Sequence, residues 1–147
     1  MRIFRSMDAS ASGLTAERLR LDIIAGNLAN ANTTRTAEGG PYRRKVPVFV
    51  QGVGNGFRSF FQVFSKSLDE AQGVQVGAVV SDDRPGKMKY EPGHPDADQN
   101  GYVAMPNVDV VTEMVDMISA TRGYEANVSA INAAKQMAMR ALEIGRS

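Results

Sequence analysis

The stretch that decides the fold is residues 107–144, NVDVVTEMVDMISATRGYEANVSAINAAKQMAMRALEI. Apolar side chains, with one threonine and one lysine among them, recur in steps of four and three residues. That spacing places them on one face of an α-helix. The members of this row are Val110, Met114, Met117, Thr121, Tyr124, Val128, Ile131, Lys135, Ala138 and Leu142. The pattern predicts a helix over 107–144, with Asn107 as its N-cap and Asp109 in its first turn. Gly145, just beyond it, is suited to end it.

This predicted helix is unusual for a small protein. It would measure roughly 55 Å at 1.5 Å per residue, against a mean helix of about 11 residues. Gly123 lies in its interior at a cost of about 1 kcal/mol relative to alanine, which indicates a slight bend or the close approach of another backbone. Further apolar side chains lie outside the main row: Val111, Val115, Ile118 and Met137. One paired helix would not cover them, so we expect additional neighbours.

The N-terminal segment has a similar pattern. Met7, Leu14, Leu21 and Leu28 recur every seven residues, and a second apolar row adjoins them. The second row contains Ile3, Ile24 and Ala31. This heptad-like pattern predicts a helix of about 30 residues.

Asparagines cluster where this first helix should end. Asn27, Asn30 and Asn32 precede Gly39 and Gly40, which are followed by a proline. Asparagine side chains compete for backbone hydrogen bonds, so the simpler interpretation is helix termination. The alternative is that these amides hydrogen-bond a neighbouring element or subunit.

The middle of the chain favours short strands. The stretches 42–50, 73–82 and 86–93 contain β-branched and aromatic residues between turn signals. The stretch 57–64, FRSFFQVF, is ambiguous, and we favour a strand. For the basic run 43–45, a solvated strand rim is favoured over a patch for acidic partners. The predicted class is α+β: helical segments at 1–34 and 107–147, and a small β-rich domain with its linkers at 35–106.

An acidic loop precedes the long helix. Asp96, Asp98, Asn100 and Gly101 match the start of a calcium loop, D-x-D-x-N-G. However, Asn107 stands where that loop needs a bidentate glutamate, and prolines exclude a helix leading into it. We therefore interpret 91–107 as a stiff connector, with a calcium-binding module as a minor alternative.

Composition and motifs exclude several classes of function. The net charge of +1 argues against broad binding to nucleic acid. No cysteine and only one histidine are present, and neither a P-loop nor a dinucleotide-binding motif occurs, so no catalytic or cofactor site is predicted. No apolar run approaches the length of about 20 residues that spans a membrane. Charged residues interrupt the N-terminus, so we expect any export to proceed without a cleavable signal.

Two stretches carry a family resemblance. Residues 13–36, GLTAERLRLDIIAGNLANANTTRT, resemble the N-terminal signature of bacterial flagellar rod and hook proteins. Residues 90–146, YEPGHPDADQNGYVAMPNVDVVTEMVDMISATRGYEANVSAINAAKQMAMRALEIGR, are similar nearly throughout to the proximal rod proteins of the flagellar basal body. The resemblance implies a structural subunit and no enzyme. The terminal helices would pair as an antiparallel coiled coil and polymerise helically into a hollow drive shaft, with the β-rich domain outside.

The resemblance also implies partners, a location and an interface. The partners would be other copies of the chain, other rod subunits, the adaptor between rod and membrane ring, and the flagellar type III export apparatus. The location would be the periplasmic part of the basal body, without membrane insertion. A different secretion-associated coiled-coil adaptor is the alternative. The expected assembly interface comprises Met7, Leu14, Leu21, Ile24, Asn27, Leu28, Asn30, Asn32, Val110, Met114, Met117, Ile118, Tyr124, Val128, Ile131, Ala138 and Leu142.

Overall fold

The computed structural model of the chain describes residues 2–52 and 73–145, with side chains from residue 5 onward. The elements in these ranges are helix α1 (Arg2–Ala29), strands β1 (Lys45–Gln51), β2 (Val74–Ser81), β3 (Met88–Tyr90) and β4 (Tyr102–Ala104), and helix α2 (Val110–Ile144). Two helices with small antiparallel sheets make this an α+β protein, as predicted. The strand favoured at 57–64 lies outside the described residues.

Both predicted helices are present. Helix α1 has 28 residues and α2 has 35. At the end of α1, the amide of Asn30 donates to the carbonyls of Gly26 and Asn27 at 3.2 Å, and the chain then leaves the helix. Helix α2 ends at Ile144, immediately before Gly145, so the predicted exit is confirmed.

The predicted N-cap of α2 is wrong, because Asp109 caps the helix instead of Asn107. Asp109 Oδ1 accepts from the Val111 amide at 3.3 Å, and its Oδ2 accepts from the Thr112 hydroxyl at 3.0 Å. The Asn107 side chain bridges the preceding loops. It accepts from the Arg44 amide at 2.8 Å and donates to the Asp82 carbonyl at 2.9 Å. Asparagine and aspartate are comparable caps in isolation, so tertiary partners decided between them.

The strands form two two-stranded sheets, β1 with β2 and β3 with β4. Hydrogen bonds at each end of the first sheet run from the Gly52 amide to the Gly73 carbonyl and from the Asp82 amide to the Arg44 carbonyl, which is an antiparallel arrangement. Strands were predicted at all three sites that became β1, β2 and β3. Sequence reasoning missed β4, since it lies in the stretch interpreted as a connector.

The second sheet is a short hairpin. Met88 pairs with Ala104, and Tyr90 pairs with Tyr102. The two tyrosine rings meet edge to face, with their centroids 5.2 Å apart. Gly101 ends the loop at a φ of +82°, and a Cβ there would lie 2.9 Å from the Tyr90 ring, so glycine is required for two independent reasons.

The chain divides into two compact units. One draws on residues 1–19, 49–77 and 121–147, and the other consists of 20–48 and 78–120. Among the described residues, the buried apolar side chains are Ala16, Ile24, Val103, Ala120 and Ala134. Three of these are alanines, so the described part of the chain buries little large apolar surface and leaves much of it exposed.

Candidate assembly surface

The most constrained polar group of the second unit is Asn27, which is 1% exposed. Its Nδ2 donates to the Lys45 carbonyl at 2.9 Å and to Glu113 Oε2 at 3.0 Å. Its Oδ1 accepts from the Lys45 amide at 2.9 Å and from the Tyr42 hydroxyl at 3.0 Å. The amide therefore makes every hydrogen bond of which it is capable. For Asn27, the interpretation that the amide binds neighbouring elements is the right one.

Glu113 lies in the first turn of α2 and is fully buried. Arg44 Nε donates to its Oε1 at 2.5 Å, and the same guanidinium donates from Nη2 to Asp116 Oδ2 at 3.0 Å. Arg20 of α1 lies 3.7 Å from Asp116 Oδ1. A buried carboxylate is tolerated only when it is paired and hydrogen-bonded, and Asn27 and Arg44 supply both requirements.

We call Asn27, Tyr42, Arg44, Glu113 and Asp116 the Asn27 cluster. It joins the end of α1, the start of β1 and the first turn of α2 through groups whose donors and acceptors match in one arrangement. Burial, and then the negative charge of Glu113, raise the pKa of Tyr42 above its usual 10. The protonated hydroxyl donates to Asn27 Oδ1. The cluster fixes how these elements meet within their unit.

Sequence reasoning missed Glu113, Asp116 and the role of Arg44. The rim interpretation of the basic run fails for Arg44, whose side chain is 19% exposed and paired with two acids, while Arg43 makes an exposed pair with Asp83. A signal was available, because the acid at position 113 adjoins the apolar row of the helix. Such an acid indicates a buried partner, but the sequence does not say which basic residue supplies it.

The other asparagines of the first segment behave differently. Asn30 Nδ2 donates to the Gly26 carbonyl at 2.9 Å, and its Oδ1 accepts from the Thr33 hydroxyl at 3.1 Å. These are local contacts at a helix end, so the termination interpretation holds for Asn30. Asn32 is exposed. The cluster of asparagines thus divides between the two interpretations.

The expected interface residues of α1 are mostly covered within the chain. Met7, Leu14, Leu21 and Leu28 are half-buried, and Ile24 is 4% exposed. Among the described large apolar side chains of this helix, Leu19 is the most exposed, at 39%. From residue 5 onward, helix α1 accordingly exposes little apolar surface on the single chain.

Helix α2, in contrast, exposes most of its expected interface residues. Of its expected interface residues, Met117, Ile131 and Ala138 are half-buried, and the remainder are exposed. The exposed members are Val110, Met114, Ile118, Tyr124, Val128 and Leu142. Other large apolar side chains are exposed beside them: Val111, Val115, Met137, Met139 and Ile144. We call these eleven side chains the α2 apolar surface.

The face of α2 that is covered within the chain carries small and polar residues. Ala120, Ala134 and Glu113 are buried, and Gly123 and Asn127 are half-buried. These positions also recur in steps of three, four and seven residues, so they form a second helical row beside the apolar one. The periodicity of apolar residues predicted the adjacent row as the contact face of the helix. Small side chains contribute little to such a pattern, so the row that the chain covers was not recognised.

Hydrogen bonds between side chains and nearby backbone amides order the acidic loop. Asp98 Oδ1 accepts from the amides of Asn100 and Tyr102, each at 2.8 Å. Asp96 Oδ2 accepts from the Thr34 hydroxyl at 2.8 Å, and its amide bonds His94 Nδ1 at 3.1 Å. The Asp98 bonds form an Asx-turn that leads into β4, as expected for Asp and Asn in this density. Within 2–52 and 73–145, no three His, Asp or Glu side chains group as metal ligands do.

Both ends of the chain match family models. The model described as flagella basal body rod protein matches residues 7–35, and the model described as flagellar basal body rod FlgEFG protein C-terminal matches residues 99–144. These stretches contain most of α1 and all of α2. They also contain Asn27 and Glu113 of the Asn27 cluster. The class of protein that they define is the flagellar basal-body rod proteins. Neither described helix has the length and apolar character of a bilayer span.

Relatives named flagellar basal-body rod protein FlgC match the chain along almost its whole length. The Bacillus subtilis protein is 48% identical and covers 99% of this chain and 100% of its own. The Borreliella burgdorferi protein is 47% identical, covering 98% of each. The Salmonella typhimurium protein is 41% identical, covering 99% and 100%. The chain belongs to the FlgC family, and it is a structural subunit of the basal-body rod.

Proposed function

We propose that this subunit polymerises helically through its terminal helices, forming with other rod subunits the hollow proximal rod that transmits torque from rotor to hook. The observation that carries the proposal is the α2 apolar surface, which a single chain leaves uncovered on a member of a rod-protein family. Large exposed apolar surfaces mark interfaces, and a head-to-tail interface that does not close produces a helical assembly.

The size of this surface supports burial between subunits. Val111 and Leu142 are each 70% exposed, and Ile118 is 55% exposed. Covering the exposed half of such a side chain contributes about 1 kcal/mol. With eleven side chains of this kind, burial between subunits contributes on the order of 10 kcal/mol to assembly.

The contacts within each unit support pairing of the terminal helices as an antiparallel coiled coil. In the first unit, Gly13 of α1 faces Asn127 of α2, and Glu17 faces Gly123. In the second unit, Arg20 pairs with Asp116, and Asn27 bonds Glu113. In both units the residue number falls along one helix as it rises along the other.

We further propose the division into a helical core, 1–34 with 107–147, and an outer β-rich domain at 35–106. In the assembled rod the subunit would lie in the periplasm, after passage through the flagellar export apparatus without a cleaved signal. Its neighbours would be further copies, other rod subunits and the adaptor that joins the rod to the membrane ring. Its role is structural, with no catalytic step.

The test is to place a charge on the α2 apolar surface without disturbing the fold. Ile118 is mainly exposed, so Ile118→Asp should leave thermal unfolding of the purified chain nearly unchanged. It should abolish rod assembly, because an unpaired charge would be buried between subunits. The assay is motility and recovery of rods in basal-body preparations from cells in which the variant replaces the native protein.

Ser119→Asp is the matched control, since it adds the same charge at an exposed polar position one residue away. It should assemble. If Ile118→Asp and Ser119→Asp gave equal numbers of rods, the α2 apolar surface would not be the interface. If neither the native chain nor the control appeared in basal bodies, the proposed role itself would be wrong.

A further inference from the structure

Two helical glycines of α1 differ in what surrounds them. A Cβ added at Gly13 would lie 2.9 Å from Asn127 Nδ2, 3.0 Å from its Oδ1 and 3.1 Å from its Cγ. A Cβ added at Gly26 would have nothing within 4 Å. Gly13 is buried although it has no side chain of its own. The Asn127 amide therefore fills the notch that the glycine leaves.

Asn127 is held in this position by its own helix. Its Nδ2 donates to the Gly123 carbonyl, four residues earlier, at 3.0 Å. This bond holds the amide plane against α2, with the amide packed against the Gly13 backbone. A polar side chain at a helix–helix contact is known to select one register, because a shift along the axis removes it from its matching site.

The contact at Gly123 restricts the neighbouring side chain less than the contact at Gly13 does. A Cβ there would lie 3.2 Å from Glu17 Oε1, the far end of a long side chain that can move by a few tenths of an ångström. An alanine at 123 is therefore tolerable, whereas an alanine at 13 meets all three atoms of a fixed amide. The space requirement is specific to position 13.

We infer that Gly13 and Asn127 are the positioning residues that set the axial register of the two terminal helices within the first unit, as the Asn27 cluster does within the second. The inference rests on the proposed pairing of those helices and adds to it the contact that selects one alignment. A heptad row alone does not do so, since apolar residues repeat at seven-residue intervals and allow slips by whole heptads. Among the described residues of α1, Gly13 is the one glycine filled by a side chain of α2, so this contact removes that degeneracy. In the rod, the register fixes which part of the α2 apolar surface each subunit presents.

The experiment compares alanine at the two glycines in the purified full-length chain. Gly26→Ala should raise the melting temperature by about 3 °C, the gain expected from helix propensity alone. Gly13→Ala should lower it in spite of the same gain. Adding Asn127→Ala to Gly13→Ala should restore part of the loss, because the added Cβ then has room.

Cross-linking gives the readout that a merely local packing defect would not move. The chain has no cysteine, so engineered pairs are the only thiols present. With 13 opposite 127, position 9 is level with 131, and position 138 lies one heptad beyond. The pair Ala9→Cys with Ile131→Cys should oxidise to a disulfide faster than Ala9→Cys with Ala138→Cys. Gly13→Ala should reduce that preference, and Gly26→Ala should leave it intact.

The inference is overturned if Gly13→Ala raises the melting temperature as Gly26→Ala does, or if it leaves the cross-linking preference unchanged. Both measurements use the purified chain and need no flagellum. A chain that showed the expected register but did not enter basal bodies would refute the proposed function while leaving the register contact in place.

Discussion

Replacing Asn27 by aspartate isolates the electrostatic contribution of the Asn27 cluster. Asn27→Asp preserves the shape of the side chain and exchanges one NH2 group for an oxygen. That NH2 group donates to the Lys45 carbonyl at 2.9 Å and to Glu113 Oε2 at 3.0 Å. After the exchange, an oxygen would face two acceptors inside a site that is 1% exposed.

The size of the effect follows from these two bonds. Leaving a buried acceptor without its donor costs about 1–3 kcal/mol, and the carboxylate of Glu113 belongs at the upper end of that range. Together they predict a loss of about 3–5 kcal/mol in the free energy of unfolding. For a chain of 147 residues, this corresponds to a fall of roughly 10–15 °C in melting temperature.

The loss should also depend on pH in a defined direction. Burial beside Glu113 raises the pKa of the introduced carboxyl in the folded state above its unfolded value of about 4. A group with a raised folded pKa contributes fully below the unfolded pKa, and its contribution is lost as pH rises through the folded pKa. The deficit of the variant should therefore shrink towards pH 4, where the protonated carboxyl can donate to Glu113.

The assay is thermal unfolding followed by far-ultraviolet circular dichroism at pH 7 and at pH 4.5, with Asn32→Asp as control. Asn32 is exposed near the same helix end, so its substitution should change the free energy by less than about 0.5 kcal/mol. A melting temperature for Asn27→Asp within 3 °C of the native value at pH 7 would show that the cluster does not carry the predicted energy. A deficit independent of pH would show that the carboxyl is not confined beside Glu113.

Further predictions concern Tyr42 and Asp98. Because the folded state raises the pKa of Tyr42, the unfolded state loses that proton first, and stability should fall as pH rises above about 10. Tyr42→Phe should lower the free energy of unfolding by about 1 kcal/mol at pH 7 and make the alkaline decline shallower in urea titrations. Asp98→Ala should lower the free energy of unfolding by about 1–2 kcal/mol, because two loop amides lose their acceptor. It should also speed hydrogen exchange at the amide of residue 102, whereas the control Gln99→Ala should leave that exchange unchanged.

The element types were predictable because their signals are local. Helix α2 and α1 are encoded by apolar periodicity, and β1 to β3 are encoded by β-branched runs between turns. Strand β4 was missed because its three residues follow a loop rich in Asp, Asn and Gly, whose turn signal outweighs so short a strand. The cap of α2 was misplaced because Asn107 and Asp109 are near-equivalent caps until the loops around Asn107 engage its side chain.

The candidate assembly surface was likewise predictable in part. From the sequence, apolar residues of α2 were predicted to form a surface that contacts a partner, and most of them are exposed on the single chain. The sequence could not show which row of α2 the chain itself covers. That row is built from Ala120, Ala134, Gly123 and Asn127, whose small or polar side chains give little hydrophobic signal. It is recognised only when α1 lies against it.

By itself, the amino-acid order determined two long helices, a β-rich middle and membership of the rod family, since periodicity, turn residues and motifs act between near neighbours along the chain. Tertiary structure decided what each polar residue does. Asn27 and Asn30 are the same amide three residues apart, yet one is surrounded by Tyr42, Lys45 and Glu113 and the other bonds its own helix end. The difference is made by groups up to 86 positions away, and only folding brings them within hydrogen-bond distance.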